Sequence, residues 1–300
     1  KQFFSGKNFL GYDLQEIRVS SFFGSELILG SFLIKILPFI SWLIFFLNID
    51  IEKIRTKLIL IVFLSLYFIT IYLSAERLSI TLLILFILFT SFLVKNLRYY
   101  FFVSTIVLIF FATCVSYFNL GKSPTHHRVF IQTFNQITNY AYHECCKNKN
   151  NTNIENEKNY KAKKIQDIKD FTKKLKIYSS NHQGHIILAY ELFKNNKYFG
   201  IGPKGFRHYC RSVNYDPQIG VCTTHPHNYT MQFLSELGLF GIVFYVIFFI
   251  FIIYKLIRCV KSKNSTNLKN SFYIISIGLI INFFPFLPSG NFFNNWNSLI

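Results

Sequence analysis

Residues 58–94 read LILIVFLSLYFITIYLSAERLSITLLILFILFTSFLV. Only Glu76 and Arg77 carry charge in this stretch, and the runs on either side of them, 58–75 and 78–94, have no charged side chain. A helix needs about 20 mostly apolar residues to cross a bilayer. Each run therefore reads as a span, with the Glu-Arg pair in the turn between them. Working outward, charge-free runs recur at 99–121, 237–254 and 270–300, and a sixth apolar stretch at 27–47 is interrupted by Lys35 and Pro38. Lipid cannot satisfy an open backbone, so about six transmembrane helices and an all-α, polytopic membrane fold are expected.

The composition points the same way. The chain of 300 residues is 51% hydrophobic and only 15% charged, against about 25% charged in a soluble domain, which excludes an ordinary soluble protein. Thirty-seven Phe and 18 Tyr exclude a solvated, disordered chain. Fourteen Gly and seven Pro exclude collagen-like and low-complexity classes. The chain opens on Lys1 and its one methionine is Met231, from which we expect a piece of a longer polypeptide, and no signal-peptide pattern opens it.

Cations in short loops orient the spans. Lys53, Arg55 and Lys57 flank one turn, Lys95 and Arg98 another, and Lys255, Arg258, Lys261, Lys263 and Lys269 a third. These loops are expected on the cytoplasmic side. Alternation then places the 74–78 turn and the long region 118–226 on the opposite side. Three segments follow: transmembrane helices over 1–117, the large outer loop over 118–226, and two further spans over 227–300. The loop carries 17 Lys/Arg and 7 Asp/Glu, a net +10 of the chain's +18, but long loops translocate largely regardless of charge.

Four of the six cysteines, Cys145, Cys146, Cys210 and Cys222, lie in that loop. An oxidising compartment suits them, and Cys210 with Cys222 is the expected disulfide, contributing about 3 kcal/mol in the chain-entropy model. Two free thiols are the alternative. Residues 147–176 (KNKNNTNIENEKNYKAKKIQDIKDFTKKLK) are Asn/Lys-rich and short of aliphatics, as in a solvated insertion. No base-stacking or base-reading pattern accompanies the lysines, so no nucleic acid partner is expected.

Chemistry concentrates in 181–241, NHQGHIILAYELFKNNKYFGIGPKGFRHYCRSVNYDPQIGVCTTHPHNYTMQFLSELGLFG. His227 sits at the mouth of the next span, where a histidine near neutral pKa can act as a general base; a helix-capping or interface histidine is the plain alternative. Pro226 is expected in the first turn of that span's helix with Thr223 or Thr224 as its cap, which puts His227, Met231 and Leu234 on one face. Gly200 to Phe206 (GIGPKGF) lacks the strand-loop-helix context of a nucleotide site. It is expected to form a tight turn that delivers Arg207 and Arg211 to the membrane face. Arg77 either snorkels to headgroups or pairs with Glu76, or it uses a planar guanidinium to grip a phosphate. His182, His185, His208, His225 and His227 raise a metal site, but no HExxH or CxxC signature is present and the nearby arginines repel a dication, so no metal and no cofactor are expected.

His227-Asn228, nine residues, then Gly238-Leu239-Phe240-Gly241 resembles the His-(Asn/Ser/Gln)-x9-Gly-x-x-(Gly/Thr/Tyr) pattern of the O-antigen ligase and O-antigen polymerase superfamily. RVSSFFGSELILGSFL near the start, SAERLS at an outer span end and the long loop ending in HPHN strengthen the resemblance. It implies a polytopic enzyme that transfers a glycan from undecaprenyl diphosphate to an acceptor hydroxyl, with inversion and without metal. The acceptor is the lipid A core for a ligase, or a second lipid-linked glycan for a polymerase; membrane lipids surround both. Arg77 matches the family's arginine at an outer span end, and His227 its motif histidine, with His225 and Asn228 beside it at the substrate. The family's second arginine usually lies about twenty residues before the glycine turn, where this chain has His182 or His185. His185, Arg207 or Arg211 is expected to replace it. A transporter or channel subunit is the reading from another class; it predicts charged or broken positions at mid-span, for which Lys35 and Pro38 give thin support.

Overall fold

The computed structural model describes residues 2–8, 10–13, 18–23, 27–118, 125, 127–131, 134, 180–212, 223–261 and 266–293. Among these no strand forms, and the one extended pairing is an isolated antiparallel bridge between Lys7 and Asp13. The helices are α1 (Gln2–Ser5), α2 (Leu29–Phe46), α3 (Ile54–Leu73), α4 (Arg77–Leu93), α5 (Lys95–Tyr117), α6 (Ser180–Asn195), α7 (Gly205–Ser212), α8 (Tyr229–Lys261) and α9 (Thr266–Asn282), with one π-helical turn at His127–Ile131. All six predicted spans coincide with helices. Of these, α2, α3, α5 and α8 are long and apolar enough to cross a membrane. The other two, α4 and α9, have 17 residues each and measure about 25 Å at 1.5 Å per residue.

The chain divides into two compact units, one of Lys1–Asn150 with Lys255–Asn282 and one of Asn151–Tyr254 with Phe283–Ile300. In the first unit α2 packs on α9, α3 on α5, and α4 on both α5 and α9. Its interior combines fully buried rings with small hydroxyl residues. Phe68 and Phe86 each lie 6.0 Å from Phe101 between ring centroids, and Ser41, Ser79, Thr90 and Ser104 are buried. Small side chains let membrane helices approach closely. One close approach is between α2 and α9, where a Cβ at Gly278 would fall 2.5 Å from the Pro38 ring. Leu58, Ile59 and Val62 of α3 and Phe102, Ile109 and Phe110 of α5 are exposed, an outward apolar surface of the kind that faces lipid.

In the second unit, an aromatic cluster of Tyr229, Phe233, Tyr245, Phe283 and Phe292 packs the first half of α8 against the segment after α9. The Tyr245 hydroxyl donates to the Phe283 carbonyl. A smaller cluster, Ala189, Leu192 and Phe206 with Ile201 and Met231, joins α6 and α7 to α8.

The element that organises this unit is a break in α8. Gly238 has φ 65° and ψ −153°, a region open to glycine alone in practice. The break releases backbone groups that an unbroken helix would use internally. The carbonyls of Ser235 and Glu236 accept from the N–H groups of Ile201 and Gly202 at 3.0 and 2.9 Å, and the N–H groups of Leu239 and Phe240 donate to the carbonyls of Lys197 and Tyr198 at 2.7 and 3.2 Å. The turn between α6 and α7 is thereby clasped, main chain to main chain, to the middle of α8. Approach this close needs glycine on both sides. A Cβ at Gly200 would meet the Glu236 carbonyl carbon at 2.4 Å, and one at Gly238 would meet the Tyr198 carbonyl at 2.6 Å.

Within the charge-free run 270–300, α9 stops at Asn282, ahead of Pro285 and Pro288, which cannot continue a helix interior. One sequence expectation changes. The helix after HPHN begins at Tyr229, three residues beyond Pro226. Its cap is Asn228 and not Thr223 or Thr224, because Asn228 Oδ1 accepts from Met231 N–H at 3.0 Å. His227 thus precedes the helix and does not share its face with Met231 and Leu234.

Candidate active site

In the first unit, the two stretches RVSSFFGSELILGSFL and SAERLS meet through one carboxylate. Glu76 is buried; its Oε1 accepts from Gly30 N–H and its Oε2 from Ser31 N–H, both at 2.9 Å, and Oε2 also accepts from the Ser79 hydroxyl at 3.0 Å. Arg18 Nη2 stands 3.5 Å from Oε1. Glu76 therefore caps the N-terminus of α2, where backbone donors and the helix dipole both favour an anion. Gly30 is glycine for want of room, since a Cβ there would lie 2.4 Å from Ser74 Oγ. Replacing Glu76 with Gln is expected to destabilise the first unit by about 2 kcal/mol, because the amide offers one acceptor where two backbone donors and Arg18 converge; thermal unfolding in detergent measures it.

Arg77 is the first residue of α4 and is half-buried. The preceding turn is unusual. Ala75 is fully buried with φ 56°, a left-handed conformation that costs a non-glycine residue about 1 kcal/mol. Arg128 Nε donates to the Ala75 carbonyl at 3.2 Å. Residues 74–77 thus draw in cations from two distant places, Arg18 and Arg128. Sequence reasoning missed Arg128, which lies 53 residues from Ala75 and carries no local signal.

In the second unit, three histidines come together. The ring centroids of His225 and His227 are 4.1 Å apart, and those of His185 and His227 5.4 Å. His185 on α6 and His225 are buried; His227 is partly open. His225 is fixed by its neighbours: its Nδ1 shares a 3.0 Å hydrogen bond with the Thr224 hydroxyl, and its carbonyl accepts from Thr223 Oγ1 at 2.8 Å. His227 has φ 58°, a conformation in which His is enriched over most residues. Its carbonyl accepts from Ser289 N–H at 2.8 Å. Asn228 is buried and holds this geometry from the other side, its Nδ2 donating to the carbonyls of Pro285 and Leu287 at 2.8 and 3.2 Å. The HPHN segment is stitched at both ends, so the imidazole of His227 is presented from a fixed backbone.

Arg207 is on α7, half-buried. Its Nε is buried without a hydrogen-bond partner among the described residues. Beside it lies a polar network that sequence reasoning missed. Gln232 and Glu236, one turn apart on α8, are both buried. Glu236 Oε1 accepts from Phe206 N–H at 3.2 Å and Oε2 from Gln232 Nε2 at 3.0 Å. Gln232 Nε2 also donates to Asn291 Oδ1 at 2.7 Å, and its Oε1 accepts from Phe292 N–H at 2.9 Å. The spacing of Gln232 and Glu236 on one helix face was a usable signal, overlooked because both lie in an otherwise apolar run.

The side chains of His182, Cys210 and Arg211, and Cys222 and the lysine-rich 147–176 segment altogether, lie outside the described residues. Among the described residues no group of three or more His, Cys, Asp or Glu is arranged to hold a metal ion. The sequence profile described as O-antigen ligase matches residues 60–246, a span that takes in Glu76, Arg77, all three clustered histidines, Arg207 and Glu236. No curated protein and no solved structure matches the chain.

Proposed function

Because the chain belongs to the O-antigen ligase family, a group of membrane glycan transferases, we propose that it transfers an O-antigen-type glycan from an undecaprenyl-diphosphate donor to an acceptor hydroxyl at the periplasmic face of a bacterial inner membrane. The observation that carries this reading is the fixed imidazole of His227, held in a left-handed backbone conformation against two further histidines. The acceptor oxygen attacks the anomeric carbon as its proton passes to His227. The bond from that carbon to the diphosphate oxygen breaks, with inversion, and undecaprenyl diphosphate departs carrying the negative charge. A diphosphate is already a good leaving group, so the site needs cations to hold it more than it needs a strong acid. Arg77 is proposed to grip phosphate, as its match to the family's arginine implies, and within the second unit His185, Arg207 or Arg211 is proposed as a positive group for the diphosphate, with His225 and Asn228 keeping His227 in place.

Two measurements test this. The transfer rate of the purified protein is expected to be unchanged by EDTA; a loss restored by zinc would instead favour a metal-dependent hydrolase-like site. In a deletion strain, free lipid-linked polymer is expected to accumulate, as it does when transfer to the lipid A core is lost. Accumulation of single lipid-linked repeats would assign the second acceptor, another lipid-linked glycan, and accumulation of neither would remove the transferase reading.

A further inference from the structure

We propose that Glu236 is a positioning residue that sets Arg207 for the donor's diphosphate, which makes Arg207, in place of His185 or Arg211, the second cation. This rests on the transferase reading above. Three observations support it. First, Glu236 is fully buried and both of its hydrogen-bond partners are donors, Phe206 N–H and Gln232 Nε2, an arrangement that suits a carboxylate, which only accepts. Second, Phe206 is the second residue of α7, so the carboxylate that holds its N–H fixes the end of the helix from which Arg207 projects one residue later. The Arg207 guanidinium acts electrostatically on the same carboxylate without an ion pair among the described residues. Its N–H donors therefore stay available to an anion, while its position is held by the helix end.

Third, the carboxylate is itself immobilised. Gln232 bridges Glu236 to Asn291 and to the Phe292 N–H, and the clasp at Gly238 fixes the Glu236 carbonyl against Gly202. A cation that must meet a diphosphate within a few tenths of an ångström needs its platform held.

The test uses the full-length protein in proteoliposomes with an undecaprenyl-diphosphate-linked glycan as donor. Arg207→Ala is expected to raise the donor KM at least tenfold. Glu236→Ala is expected to raise it by a similar factor with kcat and the acceptor KM within about twofold. Glu236→Gln, which keeps an oxygen for the Phe206 N–H but sets its amide against Gln232 Nε2, is expected to raise the donor KM by less than the alanine variant does, and it also serves should that variant fail to fold. The Glu236→Ala/Arg207→Ala double variant is expected to be no worse than Arg207→Ala. If both substitutions multiply, or if Glu236→Gln lowers the folded yield and raises both KM values alike, Glu236 is a structural cap and the proposal falls. Normal donor KM in Arg207→Ala, with His227 variants still inactive, overturns the assignment of Arg207 and leaves the transferase reading standing.

Discussion

His227→Asn is expected to lower the transfer rate by about 10²- to 10⁴-fold, the usual contribution of a positioned general base, while the protein folds normally. Asparagine is the right replacement because His227 sits at φ 58°. Asn tolerates that left-handed conformation, so the backbone bonds from Ser289 to the His227 carbonyl and from Asn228 to the Pro285 and Leu287 carbonyls survive. What disappears is the imidazole. Alanine at the same position would confound loss of the base with about 1 kcal/mol of backbone strain. Single-turnover transfer in proteoliposomes reads the effect. A rate within tenfold of the parent would move the base elsewhere, with His185 and His225, 5.4 and 4.1 Å away between ring centroids, the first to be examined. Arg77→Ala should act differently, raising the donor KM more than it lowers kcat, since a phosphate grip contributes to binding and transition state alike.

The second large effect is on folding. Gly238→Ala is expected to destabilise the second unit by about 3 kcal/mol or more, because the methyl group meets two penalties at once. The backbone conformation is nearly closed to other residues, and the new Cβ would stand 2.6 Å from the Tyr198 carbonyl and the Gly200 nitrogen. Relief requires opening the clasp, which releases four main-chain hydrogen bonds. Gly202 provides the internal control. Its φ is 87° but nothing lies within 4 Å of a built Cβ, so Gly202→Ala is expected to cost only about 1 kcal/mol. Thermal unfolding in detergent, with protease cleavage in the turn between α6 and α7 as a local readout, separates the two. Equal effects would mean that strain alone, and not the close approach, dictates glycine at 238.

Much of the architecture was legible because it depends on runs of like residues. Apolar stretches, five of them charge-free, found the four helices long and apolar enough to cross a membrane and the two shorter ones, α4 and α9, since lipid imposes one rule on every residue of a span. The same rule misplaced some ends. It began the HPHN span at 237, after Glu236, whereas α8 starts at Tyr229; a charge can enter a helix of this kind when it is buried and hydrogen-bonded, as Glu236 is. At the site, His185 and His227 were legible from residue type and spacing, and the structure brings them together with His225. The supporting carboxylates were not. Glu76 meets its backbone partners 45 and 46 residues away, and Glu236 meets Phe206 at a separation of 30. Such pairings depend on tertiary packing, which leaves no periodic trace. Gly238 was legible as part of a motif, and the reason for it only from the backbone of Tyr198 and Gly200.

The break at Gly238 also changes how α8 answers to the bilayer. An unbroken helix of 33 residues would be about 50 Å long, against a hydrocarbon core of about 30 Å. Divided at Gly238, it has a stem over residues 239–261 of about 35 Å, enough to cross with a modest tilt, and a head over 229–237 of about 13 Å. Bilayers of different thickness are met by altering tilt. In a rigid rod that lean would swing the far end, with Asn228 and His227, by several ångströms. Here the clasp ties both sides of the break to the 197–202 turn, Ser235 and Glu236 before it and Leu239 and Phe240 after it, and Asn228 ties the head to the 285–287 carbonyls, so the segment that carries His227 is anchored within its own unit and not by the stem alone.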